Sequence, residues 1–159
     1  MKTNLRLIGG KRLQSPNNIY TRPTTLRVRE ALFNILNNRV ENSNWLDLFS
    51  GTGAISCEAY NHGARKIIAI EKNKNNSKIC LKNLLSLQDI DNRKNDIDVI
   101  CKDVLNWTKP NYARNLSSKI LDLNKFKFDF IYLDPPYEAD FHELVLNQIF
   151  NCNFLKKDS

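Results

Sequence analysis

The stretch Leu46-Asp47-Leu48-Phe49-Ser50-Gly51-Thr52-Gly53 decides the reading of this chain. It runs out of a short apolar segment that begins at Trp45, ends on two closely spaced glycines, and leads into residues with helical apolar spacing. A strand that feeds a helix through such a bend lets a ligand come close to the backbone, and the free N–H groups of the first helical turn lie beside it. A dinucleotide-binding loop would carry glycine or alanine where this sequence has Ser56, and no lysine follows the glycines as it does in a phosphate-cradling loop. The bend reads as a nucleotide-type pocket; taken singly it is a weak signal, since about one such loop in three is a mere tight turn.

Outward from that bend the alternation continues. Apolar segments at Trp45 to Phe49, Lys66 to Ile70, Val99 to Cys101 and Phe128 to Leu133 predict strands. Helical spacing predicts helices over about 53–62, 74–87 and 104–107, a piece near 112–122, and a last helix over about 140–150. The expected fold is α/β: a mostly parallel, Rossmann-like sheet with helices on both faces. Gly63 stops one helix, and the polar stretch Asp89 to Asp98 reads as a surface loop. A strand as apolar as Phe128 to Leu133 would be left as an open edge by a chain ending on a helix near Phe150, so further strands are expected beyond Ser159.

Upstream, residues 4–22 are short apolar pieces broken by Gly9, Gly10, Pro16 and Asn17-Asn18, an arm or loose hairpin rather than a core element. Pro23-Thr24-Thr25 supplies a turn and a cap, and Val28, Ala31, Leu32, Ile35 and Leu36 predict a helix over about 25–38. The expected organisation is a basic N-terminal arm, residues 1–24, and one α/β domain, residues 25–159. A length of 159 residues, 42% hydrophobic and 26% charged, is that of a folded single domain and not of a disordered or fibrous chain. No apolar run approaches the roughly 20 residues of a membrane helix and no secretory signal opens the chain, so a cytoplasmic protein with no membrane partner is expected. Cys57, Cys80, Cys101 and Cys152 are too dispersed to grip a metal and read as free thiols; His62 and His142 stand apart from them. The net charge of +7 is concentrated: Lys2, Arg6, Lys11, Arg12, Arg22, Arg27 and Arg29 face Glu30 alone in the first thirty residues. Such a concentration suits a phosphate backbone, or serves as a solvated arm that aids solubility.

Three further strand ends bear on the pocket. Glu71, at the end of the second strand, is placed to accept hydrogen bonds from both hydroxyls of a ribose. Asp103 follows the third strand, where an acidic residue can meet an adenine amino group. Asp134-Pro135-Pro136-Tyr137 follows the fourth, at the carboxyl end where open α/β sheets place their sites. The prolines fix the turn, so the Asp134 carboxylate and nearby carbonyls point rigidly into the cleft, an arrangement suited to an amino group on a base. Such a nitrogen is a poor nucleophile because its lone pair is delocalised into the ring. Two acceptors on its N–H bonds favour a pyramidal nitrogen with the lone pair turned to a methyl donor. Tyr137 would stack on the base, worth about 1–3 kcal/mol in nucleic-acid complexes.

Taken together, Leu46 to Gly53, Glu71, Asp103 and Asp134 to Tyr137 resemble the successive motifs of class I S-adenosylmethionine-dependent methyltransferases that modify exocyclic amino groups. Ile8-Gly9-Gly10-Lys11, Arg22-Pro23-Thr24-Thr25 and Arg27-Val28-Arg29-Glu30-Ala31-Leu32-Phe33-Asn34, with Leu46 to Gly53, resemble more narrowly the RsmD family of bacterial rRNA guanine-N2 methyltransferases. The resemblance implies a seven-stranded sheet of which the last strands are lacking here, S-adenosylmethionine as donor, and a guanine of 16S rRNA in the small subunit or its assembly intermediate as acceptor. A monomer is expected. The candidate residues are Asp47, Ser50, Gly51, Thr52, Gly53, Glu71, Lys72, Asp103 and Val104 for the cofactor, Asp134, Pro135, Pro136 and Tyr137 for catalysis, and Lys11, Arg12, Arg22, Arg27 and Arg29 for RNA; no metal is expected. The alternatives are a DNA adenine-N6 or protein glutamine methyltransferase, and a catalytically inactive module that holds RNA or cofactor. A nicotinamide dehydrogenase is disfavoured by Ser56 and by the lack of a hydride-transfer partner.

Overall fold

A computed structural model of the chain describes residues 5–16, 24–91, 95–108, 127–135 and 141–156. The elements are α1 (Leu26–Leu36), a short 3-10 helix (Asn37–Val40), β1 (Asn44–Asp47), α2 (Ala54–Asn61), β2 (Lys66–Ile70), α3 (Lys74–Asp91), β3 (Asp96–Ile100), α4 (Val104–Trp107), β4 (Phe130–Tyr132) and α5 (Phe141–Cys152). The strands pair in parallel in the order β3-β2-β1-β4. The α/β class, the parallel sheet and the placing of helices between strands are as expected; the predicted piece at 112–122 lies outside the described residues.

Alternation along the strands builds two cores, as a sheet covered on both faces requires. Trp45, Ile67 and Ala69 face α1, α2 and α3 with Phe33, Tyr60 and Leu84. Leu46, Leu48, Ile68 and Ile70 face the other way, onto Val104, Trp107, Val145 and Ile149 of α4 and α5. Local chemistry sets the helix ends. Thr25 caps α1 by accepting the Val28 N–H, Asn73 Oδ1 takes the Asn75 and Asn76 N–H groups at the start of α3, and Asp103 accepts the Asn106 N–H at the start of α4.

Two expectations need correction. The N-terminal stretch is a core element: residues 5–13 form a hairpin in which Leu7 N–H donates to Lys11 O and Leu13 N–H to Leu5 O, and Leu5, Leu7 and Leu13 are buried. Side chains of the domain fasten it, since Glu58 accepts the Ile8 N–H at 2.8 Å and Asn83 both accepts from and donates to the Gln14 backbone. Second, the stretch Asp89 to Asp98 is mostly regular structure among its described residues: α3 runs to Asp91, and Asp96 to Asp98 open β3. Lys66 of β2 makes this possible by pairing with Asp96 and, at 4.0 Å, with Asp98. As expected, β4 is an edge strand, paired among the described strands with β1 alone, and one bridge precedes it. Phe128 N–H donates to Phe154 O at 2.8 Å and Lys156 N–H to Phe128 O at 3.1 Å, a parallel bridge between Phe128 and Leu155.

Candidate active site at the carboxyl end of the sheet

The strand order reverses at β1: β2 and β3 lie on one side of it and β4 on the other. The crevice outside the carboxyl ends of the strands at such a switch point is where open α/β sheets bind ligands. Leu48 N–H donates to Tyr132 O at 3.1 Å and Ser50 N–H to Ile70 O at 3.0 Å, so the bend after β1 is tied to both neighbouring strands. Gly51 and Gly53 have φ values of +53° and +82°, which glycine alone adopts freely. A Cβ on Gly53 would lie 2.6 Å from Cys80 Sγ, whereas one on Gly51 would meet nothing within 4 Å. Gly53 is therefore demanded by the approach of α3, and Gly51 leaves open a cradle beside the crevice. Asn83 Nδ2 donates to Thr52 O at 2.9 Å and fixes the bend from the α3 side.

Around this bend stand three carboxylates. Asp47 is fully buried, and Ser56 Oγ donates to its Oδ2 at 2.6 Å while Oδ1 has no partner. Burial pushes its carboxyl up to about 7; the Ser56 hydroxyl and the Phe49 backbone N–H oppose this, and Glu71 and Asp134 nearby add to it. Glu71 accepts the Gly51 N–H at 2.9 Å and the Asn73 N–H at 2.7 Å, one on each oxygen, which leaves lone pairs on both for a ligand. Asp134 is exposed, and its Oδ2 accepts from Thr24 Oγ1 at 3.3 Å and from the Tyr132 hydroxyl at 3.4 Å. Burial first, then Asp134, pushes the Tyr132 phenol up to about 12, so it remains a protonated donor. A buried, half-satisfied carboxylate flanked by two others favours a ligand that carries positive charge.

The remaining expected residues are placed unevenly. Ser50 and Thr52 are buried in the bend, Lys72 is exposed after β2, and Val104 belongs to the second core. Asp103 is half-buried and already serves as the α4 cap. Pro135 is buried beside Asp134; Pro136, Tyr137 and Arg22 lie outside the described residues. Arg12 and Arg27 are exposed, and half-buried Lys11 donates to Ser86 O at 2.8 Å. Arg29 is the correction: only 1% exposed, it donates from Nη1 to Thr24 O at 2.7 Å, from Nη2 to Arg6 O and from Nε to Glu58 Oε1 at 3.4 Å. Buried to that degree, it offers no face to a phosphate. Ser56 and Glu58 were not singled out as partners in the sequence, although a lone acid in the apolar run of α2 signals a buried counter-charge. A separate hollow, lined by Phe33, Asn34, Asn37, Glu41, Asn61 and His62 among others, lies at the amino ends of the strands and contains none of the expected site residues.

The family model described as "Conserved hypothetical protein 95" matches residues 5–159. The ribosomal RNA small subunit methyltransferase D of Buchnera aphidicola subsp. Baizongia pistaciae is 31% identical over 163 residues, covering 99% of this chain and 74% of the relative. The protein of the same name from Buchnera aphidicola subsp. Acyrthosiphon pisum is 30% identical over 150 residues, covering 94% and 70%. Among solved structures, yhhF from Escherichia coli superposes with a TM-score of 0.76 at 24% identity, covering 96% of this chain and 75% of that one, a likeness of fold.

Proposed function

The chain belongs to the family described as Conserved hypothetical protein 95, that of the ribosomal RNA small subunit methyltransferase D proteins, and we propose that it moves a methyl group from S-adenosylmethionine to the exocyclic N2 amino group of a guanine in 16S rRNA. The observation that carries this reading is the convergence of the glycine bend and Asp134 on one crevice, at the ends of the adjacent, hydrogen-bonded strands β1 and β4.

The residues present fit the donor. The open side of Gly51 would take the close approach of the ligand, and the unpartnered Oδ1 of Asp47 would accept from its amino group. Glu71 would hold the ribose hydroxyls with the lone pairs that Gly51 and Asn73 leave, and Asp103 the adenine amino group. S-adenosylmethionine supplies, when bound, a methyl group on a positively charged sulfur, an electrophile that needs alignment more than activation. The task left to the protein is the acceptor. The Asp134 carboxylate and the Pro135 carbonyl would accept the two N–H bonds of the base, free the nitrogen lone pair, and stand where the departing proton can go. Tyr137 would stack on a base drawn out of its neighbours' stack. Arg12 and Arg27, with Lys11 and Arg22, would dock the phosphates, on the assembled small subunit or an intermediate of it.

The test is methyl transfer from radiolabelled S-adenosylmethionine to small subunits, naked 16S rRNA, duplex DNA and protein, with nucleoside digestion of the product. N2-methylguanosine from the ribosomal substrate supports the proposal. Label recovered as N6-methyladenine or in protein would replace it.

A further inference from the structure

We infer that Thr24 is a positioning residue for the carboxylate of Asp134, an inference that rests on the reading of Asp134 as the anchor of the acceptor. Asp134 is exposed on the short segment after β4, and a carboxylate there turns broadly about its terminal torsion unless it is held. Two hydroxyls hold it. Thr24 Oγ1 donates to Oδ2 from 110 residues away in sequence, and the Tyr132 hydroxyl donates to the same oxygen at 3.4 Å. Among the described residues no bond engages Oδ1, so the fixed oxygen lies toward α1 and the other is left for the acceptor's N–H.

Thr24 is well placed for this because it is itself fixed. Its carbonyl accepts from Arg29 Nη1 at 2.7 Å, and Arg29 is buried against Glu58 of α2, whose carboxylate also takes the Ile8 N–H of the hairpin. The next residue, Thr25, caps α1. Glu58, Arg29, Thr24 and Asp134 thus form one line from the packed helices to the rim of the crevice. The ring of Tyr132 packs against the same core, so both hydroxyls that hold Asp134 are anchored in the layer of α1 and α2.

The experiment compares Thr24→Val, which removes the hydroxyl at nearly equal volume, with Thr24→Ser, which keeps it. In steady-state methyl transfer to small subunits, Thr24→Val is expected to lower kcat about tenfold while leaving the KM for the subunit and the affinity for S-adenosylhomocysteine unchanged. Thr24→Ser is expected to restore turnover. In protein labelled with 13C-aspartate, the Asp134 13Cγ resonance is expected to move in Thr24→Val and to stay in Thr24→Ser, a readout that needs no activity. An unmoved resonance or unchanged kcat in Thr24→Val overturns the inference, as does equal impairment of Thr24→Ser or loss of S-adenosylhomocysteine affinity, each of which marks Thr24 as packing. Asp134→Ala in the same assay separates the two readings: wild-type turnover there removes Asp134 from the chemistry, while the resonance still reports on Thr24.

Discussion

Replacing Asp47 by asparagine should make the chain more stable above neutral pH and poorer at holding its cofactor. Asp47 is fully buried, and its carboxyl is displaced from an ordinary 3.8 to about 7, chiefly by that burial. A carboxyl that binds its proton more tightly in the fold than in the unfolded chain contributes stability below the ordinary value and loses it as pH rises toward the raised one. At about 1.36 kcal/mol per unit the loss reaches roughly 4 kcal/mol by pH 8, of which about 2–3 kcal/mol falls between pH 5 and pH 8. Asparagine keeps an acceptor for Ser56 Oγ and carries no charge, but its amide group meets the side where Oδ1 has no partner, at a cost of about 1–3 kcal/mol. The expected net gain is about 1–3 kcal/mol at pH 8, disappearing toward pH 5. Urea unfolding at half-unit steps of pH measures it: the wild-type free energy should fall with pH where that of the variant stays level. Calorimetry at pH 8 should show S-adenosylhomocysteine bound at least about tenfold more weakly by Asp47→Asn, from the lost charge and acceptor. Parallel pH profiles for the two proteins, or equal affinities, would refute the reasoning that this carboxylate is held at a cost in stability for a cationic ligand.

Arg29→Met should destabilise the fold by about 3 kcal/mol in denaturant titration, since it strips a buried partner from Glu58, yet leave the salt dependence of rRNA binding unaltered. Arg12→Ala combined with Arg27→Ala should instead leave stability within about 0.5 kcal/mol of wild type and flatten the slope of log affinity against log salt by about 1.5; an unchanged slope would assign the basic segment to solubility. Gly53→Ala, with a Cβ forced within 2.6 Å of Cys80 Sγ at positive φ, should cost roughly 2–4 kcal/mol of stability. Gly51→Ala should cost only about 1 kcal/mol but weaken S-adenosylhomocysteine binding, because its Cβ enters the open cradle.

Local signals in the sequence carried the sheet and the bend. The predicted strand Lys66 to Ile70 and the helix over 104–107 coincide with β2 and α4, because an apolar run between turn residues and an aspartate cap are complete within a few positions. What was not legible depends on distant partners. Leu5 and Leu7 alternate as a strand should, but their burial is decided by Glu58 and Asn83, which seat the hairpin from far along the chain. Asp96 and Asp98 read as loop because the cation that allows them into a strand is Lys66 on β2. Arg29 read as surface by its charge, although its i, i+4 spacing to Phe33 places it on the buried stripe of α1. At the site, the strand-end positions of Asp47, Glu71 and Asp134 followed from the alternation alone, whereas the Ser56 and Thr24 hydroxyls that orient two of them required the packed helices.

The most direct test of the shared crevice is a crystal structure of the chain with S-adenosylhomocysteine bound. The expected result is a ligand lying over Gly51 and Gly53, its amino group on Asp47, its ribose on Glu71 and its sulfur turned toward Asp134. A ligand seated elsewhere, for instance in the hollow beside Phe33 and His62, or with its sulfur turned away from Asp134, would contradict it.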